Sequence, residues 1–262
     1  MLASELIVEN HQKEAPIRLL RKGSGKPLLF LHGIYGQEWS GFLDDLAASH
    51  DVIAPETPGT GNPDDLSAYD NIWDLLLFYD DLMRGLGIEH YDVVGHSFGG
   101  MVAAELAAAF PERVGHLVLI DALGLWRDDA PVGDWVATEP SKLAAMLYAN
   151  PTSQAVTEHI KPAADPVEKM MASLRKGQAI ASASHFIWPI PDRGLSRRLY
   201  RLTMPTLIVW GKEDRFAPPA YAGIFAEGIS NARTVIIDGA GHSPHIEARE
   251  KTAGAVNAFL EI

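Results

Sequence analysis

Cysteine is absent from the 262 residues, and that one absence excludes disulfide cross-links, thiolate metal sites and a cysteine nucleophile. Positive charge is scarce as well: 22 Lys and Arg stand against 34 Asp and Glu, for a formal net charge of −12. Such a surface repels polyphosphate, and no stretch interleaves basic with aromatic residues, so nucleic acid is not expected as a partner. Nowhere does an uninterrupted apolar run reach the roughly eighteen residues of a membrane span. Met1 to Pro16 carries Glu5, Glu9 and Glu14 and lacks the basic segment and apolar stretch of a secretory signal. Internal repeats and low-complexity tracts are missing too. These absences lead to the expectation of a soluble, cytoplasmic protein whose partner is a small molecule, with no membrane and no nucleic acid involved. They leave the oligomeric state open.

What the chain does have is enough apolar sequence, 47% of it, to bury one sizeable core. Short β-rich runs alternate with longer amphipathic stretches, the pattern of an α/β protein whose mostly parallel sheet carries helices on both faces. Strands are predicted at Glu5–Glu9 and Ile17–Arg21, as an opening hairpin, then at Pro27–Leu31, Asp51–Ala54, Tyr91–Gly95, Leu117–Asp121, Thr206–Trp210 and Thr234–Asp238. Helical spacing covers Asn71–Leu86 and Phe98–Phe110, with Pro111 placed where a helix should stop. From Ala122 to Arg198 this regularity breaks. No strand is evident there, and Trp, Met, Pro and Gly are frequent. A structureless loop of that size is improbable in a compact domain, so 122–198 is expected to hold short helices and to cover a core made of 1–121 and 199–262.

Gly95-His96-Ser97-Phe98-Gly99 has the form G-x-S-x-G, a serine on a tight turn between strand and helix. The flanking glycines have a steric reason: a Cβ two residues either side of so sharp a corner would collide with the neighbouring strand or helix. Composition alone can produce the five residues. The strand before and the helix after give them weight. A hydroxyl is a poor nucleophile at neutral pH and needs a base, for which histidine is suited. Of ten histidines, His242 stands out, because Gly239-Ala240-Gly241-His242 forms a glycine-lined loop at the carboxyl end of the last predicted strand, the edge where open α/β sheets build sites. His245 reads as a structural residue. The third group must orient the imidazole. Asp214, in the loop after Thr206–Trp210, and Asp121, at the end of Leu117–Asp121, both give the order Ser, Asp, His; Asp214 is preferred. An oxyanion needs preorganised N–H donors, which Phe98, following the serine, and Ile34, in His32-Gly33-Ile34-Tyr35-Gly36, are placed to supply. Pro58-Gly59-Thr60-Gly61 lacks the third glycine and the lysine of a phosphate cradle.

These segments resemble the α/β-hydrolase superfamily, in particular its small capped members: carboxylesterases, enol-lactonases and carbon–carbon bond hydrolases. The resemblance implies an α/β-hydrolase fold with an eight-stranded sheet and a helical cap inserted after strand six, and a Ser97-His242-Asp214 triad working without cofactor or metal. Related dehalogenases and epoxide hydrolases carry aspartate at the elbow, which Ser97 does not match. Carbon–carbon hydrolases commonly have Trp after the histidine; Ser243 and Pro244 stand there here. The expected activity is hydrolysis of a carboxylic ester or lactone through an acyl-enzyme, the alternatives being carbon–carbon cleavage of a diketone, acyl transfer to another acceptor, and slow-turnover ligand binding of a receptor type. Large side chains in 122–198, among them Trp126, Trp135, Met146, Tyr148, Met170, Met171, Phe186 and Trp188, suggest a substrate with an apolar portion, with Trp126 and Trp188 as candidate lining residues, although most should pack the segment itself. Arg193, Arg197, Arg198 and Arg201 are expected on a solvated face.

Overall fold

The computed structural model describes residues 4–9 and 16–261. Its strands are β1 (Ser4–Glu9), β2 (Pro16–Gly23), β3 (Lys26–Leu31), β4 (His50–Pro55), β5 (Tyr91–His96), β6 (Val114–Ile120), β7 (Thr206–Gly211) and β8 (Ala232–Ile237). They form one eight-stranded sheet in the order β1-β2-β4-β3-β5-β6-β7-β8. β1 pairs antiparallel with β2, and β2 with β4; every later pairing is parallel. The expected opening hairpin is therefore present, and residues 10–15 between its strands lie outside the described residues.

Helices α1 (Gly41–Leu46), α2 (Ile72–Gly85) and α3 (Phe98–Ala109) are followed by α4 (Pro140–Leu147), α5 (Gln154–His159) and α6 (Pro166–Ile187), all three between β6 and β7. The chain closes with α7 (Ala220–Gly228), α8 (Pro244–Glu247) and α9 (Arg249–Leu260). No helix among the described residues is long and apolar enough to cross a membrane. One face of the sheet packs on α2, α3 and α7, whose core runs on into Leu143, Leu147, Val156 and Phe186 of the β6–β7 segment. The other face packs on α1 and α9, through Phe42, Leu46, Val256 and Phe259.

α2 begins where its sequence says it should: Asn71 and Asp74 form a reciprocal capping box, which satisfies two of the donors a helix start leaves open. α3 is different. It is buried on nearly every side, which is why its sequence is apolar all round instead of striped. Its one carboxylate, Glu105, receives a two-pronged bond from Arg198, at 2.7 and 2.5 Å, and Arg201 donates to the Ala108 carbonyl near the helix end, at 2.6 Å. Arg193 likewise donates to the Phe186 carbonyl, at 2.9 Å. Arg193, Arg197 and Arg201 are exposed, as expected of a solvated face, and Arg198 is half-buried; Arg198 and Arg201 in addition tie the end of the segment to α3.

The strand order places the site. The chain steps from β3 outward to β4 and then back across to β5, so the sheet changes direction between β3 and β5. The loop after β3, with His32 to Gly36, and the turn after β5, with Ser97, flank that switch point at the carboxyl edge, where α/β sheets form crevices. The ends of β7 and β8 approach from the other side. A Cβ on Gly211 would lie 1.8 Å from the Gly241 carbonyl oxygen, so glycine is what lets the loop bearing Asp214 and the loop bearing His242 run in contact. Gly211→Ala should therefore lower stability by at least about 2 kcal/mol in urea unfolding, as overpacking does. Gly254→Ala, on α9 with nothing within 4 Å of the added carbon, should raise it by up to about 1 kcal/mol.

Candidate active site

Ser97 stands at φ 56 and ψ −118, a conformation that costs a non-glycine residue of order 1–3 kcal/mol. The strand and helix on either side hold it there. Its N–H donates to the Ile120 carbonyl at 2.9 Å, and its own carbonyl accepts from Met101 and Leu123, at 3.2 and 3.0 Å. The glycine argument is met in distances: a Cβ on Gly95 would sit 2.3 Å from the Gly99 carbonyl oxygen, and one on Gly99 would sit 2.1 Å from that of Leu31.

Three of the residues singled out in the sequence meet here. His242 Nε2 is 2.8 Å from Ser97 Oγ, and His242 Nδ1 is 2.7 Å from Asp214 Oδ2. Asp214 Oδ1 accepts the backbone N–H of Phe216 and of Ala217, at 2.8 and 2.9 Å, so the turn that positions this carboxylate also stabilises its charge. An ionised Asp214 can only accept, which makes Nδ1 the protonated nitrogen of His242 and leaves the Nε2 lone pair facing the serine hydroxyl. Ser97, Asp214 and His242 are 1%, 5% and 2% exposed, so water barely reaches this chain of bonds. Phe98 opens α3, and its N–H is among those a helix start leaves without an intrahelical partner. Ile34 is buried in the loop after β3.

That loop is pinned by His32. Its Nε2 accepts the Thr57 N–H at 3.1 Å, so Nδ1 carries the proton and donates to the Gly33 carbonyl at 2.7 Å. Burial pushes the His32 pKa down to about 4. Two further buried histidines lie near His242. His96 donates from Nε2 to the His242 carbonyl at 2.7 Å, and its ring lies 4.3 Å from that of His245 and 5.3 Å from that of His242. Burial, then the neighbouring histidines, hold the His96 pKa well below its usual range, and burial pushes His245 down to about 3. His245 is structural in its packing, edge-on to Phe42 at 5.7 Å, yet its buried Nδ1 has no hydrogen-bond partner among the described residues. His245 is three residues from His242 in sequence; that His96 lies beside both, with its ring 4.3 Å from His245 and 5.3 Å from His242, is shown by the fold alone.

Trp126 donates its indole N–H to Asp128 at 2.9 Å, and Trp188, 42% exposed, donates to Asp134 at 3.3 Å. Phe216 lies 4.6 Å from the His242 ring, Trp135 is 6.2 Å from Phe216, and Phe186 stacks 6.4 Å from Phe98. Of the large residues expected to pack the segment, Trp135, Tyr148 and Phe186 are buried, whereas Met170 and Met171 are exposed. A separate cleft of about 210 Å³, lined by Ile17, Arg18, Glu56, Pro58, Tyr69 and Phe78, touches none of the three central residues. The segment between β6 and β7 also reaches the histidine loop: the His242 N–H donates to the Leu147 carbonyl at 2.8 Å, and Glu247 accepts from Gly241 and Asn150, at 2.7 and 3.2 Å.

A doubly wound sheet with a serine elbow at its switch point defines an enzyme-type α/β fold. Residues 28–255 match the alpha/beta hydrolase family, and the chain belongs to that family. Among its relatives, 2-hydroxy-6-oxononadienedioate/2-hydroxy-6-oxononatrienedioate hydrolase of Paraburkholderia phymatum is 30% identical, over 91% of this chain and 88% of that protein. The 2-hydroxy-6-oxo-6-phenylhexa-2,4-dienoate hydrolase of Comamonas testosteroni is 28% identical, over 84% and 82%. In structure, the chain is similar to a serine hydrolase involved in carbazole degradation (CarC), with a TM-score of 0.76 at 21% identity and 99% of each chain covered. It is also similar to the meta-cleavage product hydrolase CumD of Pseudomonas fluorescens IP01, with a TM-score of 0.73 at 22% identity and 94% of each chain covered. At such identities these two structures establish the shared fold.

The lowered histidines set a pH dependence. A base whose folded pKa lies below its unfolded value of about 6.5 binds its proton more readily in the unfolded chain. Stability is thus highest above pH 6.5 and falls as the pH drops toward 4, the value to which His32 is lowered. Each such histidine contributes a slope of up to about 1.4 kcal/mol per pH unit. Denaturant unfolding between pH 7 and pH 5 should show this loss, and His245→Phe should remove close to one proton from the slope.

Proposed function

We propose that the protein is a serine hydrolase that cleaves a carboxylic ester or lactone through an acyl-enzyme. The observation that carries this reading is the buried chain from Asp214 Oδ2 to His242 Nδ1, and from His242 Nε2 to Ser97 Oγ, at 2.7 and 2.8 Å. Ser97 Oγ attacks the carbonyl carbon as its proton passes to His242 Nε2. The imidazolium so formed is stabilised by Asp214, the tetrahedral oxyanion is received by the N–H groups of Phe98 and Ile34, and His242 returns the proton to the departing alcohol oxygen. Water then repeats the sequence on the acyl-Ser97 ester, with His242 again as base.

Residues 122–198 act in this reading as a cap over the core. Support comes from the burial of the three residues and from the Leu147 carbonyl on the His242 N–H: entry of substrate requires the segment to move, and its return re-forms a bond to the base. The substrate's apolar portion lies against Phe98 and Phe216 of the core and Phe186 of the cap, with Trp126 and Trp188 toward the two ends of the cap segment. No cofactor enters any step.

A second reading is carbon–carbon bond hydrolysis of a diketone-type substrate by the same residues. The names of the Paraburkholderia and Comamonas relatives favour it; Ser243 after the histidine, where carbon–carbon bond hydrolases as a group commonly carry Trp, speaks for the ester. Ser97→Ala should lower kcat/KM on p-nitrophenyl esters by at least about 10³-fold, as loss of a triad nucleophile does, with the fold intact by circular dichroism. Assay of the wild type on p-nitrophenyl esters beside a vinylogous diketone separates the two readings, and a Ser97→Ala variant with wild-type turnover would overturn both.

A further inference from the structure

Asp121, the residue considered in the sequence as the alternative acid, is not idle. It sits just past β6 at φ 44 and is wholly buried. Its backbone N–H donates to the Val209 carbonyl at 2.9 Å, and its Oδ1 accepts the Gly211 N–H at 2.9 Å. Its Oδ2 is buried without a hydrogen-bond partner among the described residues. A carboxylate oxygen of Asp121, one of Asp214 and a ring nitrogen of His242 all lie within 4.8 Å of one another.

Two carboxylates this close and this dry do not both stay ionised. The donors decide which one keeps its charge. Asp214 receives three N–H groups, from Phe216, Ala217 and His242. Asp121 receives the one from Gly211. The anions around Asp121 point the same way, Asp214 from the loop after β7 and Glu247 on α8; the titratable rings nearby are His242, from the loop after β8, with His96 and His245 next to it. On the α3 side, the neighbouring Ala122 meets Gly100. Burial first, and the Asp214 charge second, raise the Asp121 pKa well above the carboxylate range, against the pull of the Gly211 N–H.

Resting on the triad reading above, we propose that Asp121 is a positioning residue: it is kept as the neutral acid, and its O–H donates to the Asp214 carboxylate. This places a proton on the otherwise orphaned Oδ2 and gives Asp214 a fourth donor. The Asp214 charge is then shared between Asp121 and His242 Nδ1. A shared charge pulls less on the imidazole, so the acid limb of activity lies lower with Asp121 in place than without its donor. The left-handed backbone is compatible with Asp or Asn, whose short polar side chains tolerate it, so Asn is a conservative probe.

The test compares wild type, Asp121→Asn and Asp121→Ala through the acid limb of kcat/KM on p-nitrophenyl acetate. Asn supplies a neutral donor in place of the O–H, so its limb should stay within about 0.3 pH units of wild type; Ala removes the donor and should move the limb up by about half to one unit. An Asn limb shifted down by a unit or more would mean that an ionised Asp121 had been raising His242, and would overturn the proposal. So would an Ala limb unmoved in a folded variant, which is the mark of a purely structural turn residue. Difference infrared spectroscopy at neutral pH, wild type against Asp121→Asn, reads the proton without turnover. A protonated-carboxyl C=O band lost in the variant is expected, and carboxylate bands alone would contradict it. Because this readout needs no activity, it separates failure of the Asp121 proposal from failure of the Ser97 reading.

Discussion

A serine can be held at φ 56 and ψ −118 between a central strand and a buried helix only where backbone approaches backbone with no side chain between. Gly95 and Gly99 provide that approach: the turn closes to a distance at which any Cβ would overlap the carbonyl oxygen of Gly99 or of Leu31. The strain at Ser97 is offset by the bonds its backbone makes to Ile120, Met101 and Leu123 and by the burial of α3 against the sheet. The other features of the site are arranged around this fixed point. The β3 loop abuts it across Gly33, where an added Cβ would lie 3.3 Å from Ser97 Cβ. The histidine loop reaches it because Gly211 lets the ends of β7 and β8 touch.

The electrostatic character of the site follows from how dry that arrangement is. His32, His96 and His245 are buried with no carboxylate bonded to them, so each favours the neutral form. Of these four site histidines, His242 is the one that faces a carboxylate, Asp214, at 2.7 Å. The difference is chemical: a base beside an anion can take up a proton in the course of a reaction, and a buried imidazole without one resists it. His96 and His245 therefore bring rings, not charge, to the surroundings of His242. The β6–β7 segment adds a mechanical link through Leu147, Asn150 and Glu247, so that the position of that segment and the position of the His242 backbone are coupled.

Much of this was legible in the sequence because the fold repeats a simple signal. Every predicted strand is present within a few residues, and α2 and α3 fall where Asn71 and Pro111 mark their ends. β6 starts at Val114, three residues before the apolar run, because Gly115 and His116 blur it, and it stops at Ile120, which leaves Asp121 in a left-handed turn beyond the strand. Ser97, His242 and Asp214 could be named because glycine loops and strand ends carry local signals, and the structure brings them together. The rings beside them could not. Trp126 and Trp188 stand out by size, whereas Phe186, stacked near Phe98, and Phe216, beside the His242 ring, carry no local mark. The arginines at the end of the segment are mostly solvated, as read, but the bonds of Arg198 and Arg201 to Glu105 and the Ala108 carbonyl could not be foreseen, because those partners are about ninety residues away in sequence.

The central claim is that Ser97 is the atom that becomes acylated. The most direct measurement is rapid acid quench of the wild-type protein with p-nitrophenyl acetate, followed by intact-mass analysis and peptide mapping. The account predicts one acetyl adduct per chain, formed with the first release of p-nitrophenolate and located on the peptide that carries Ser97. Continued turnover with the adduct on another residue would contradict it.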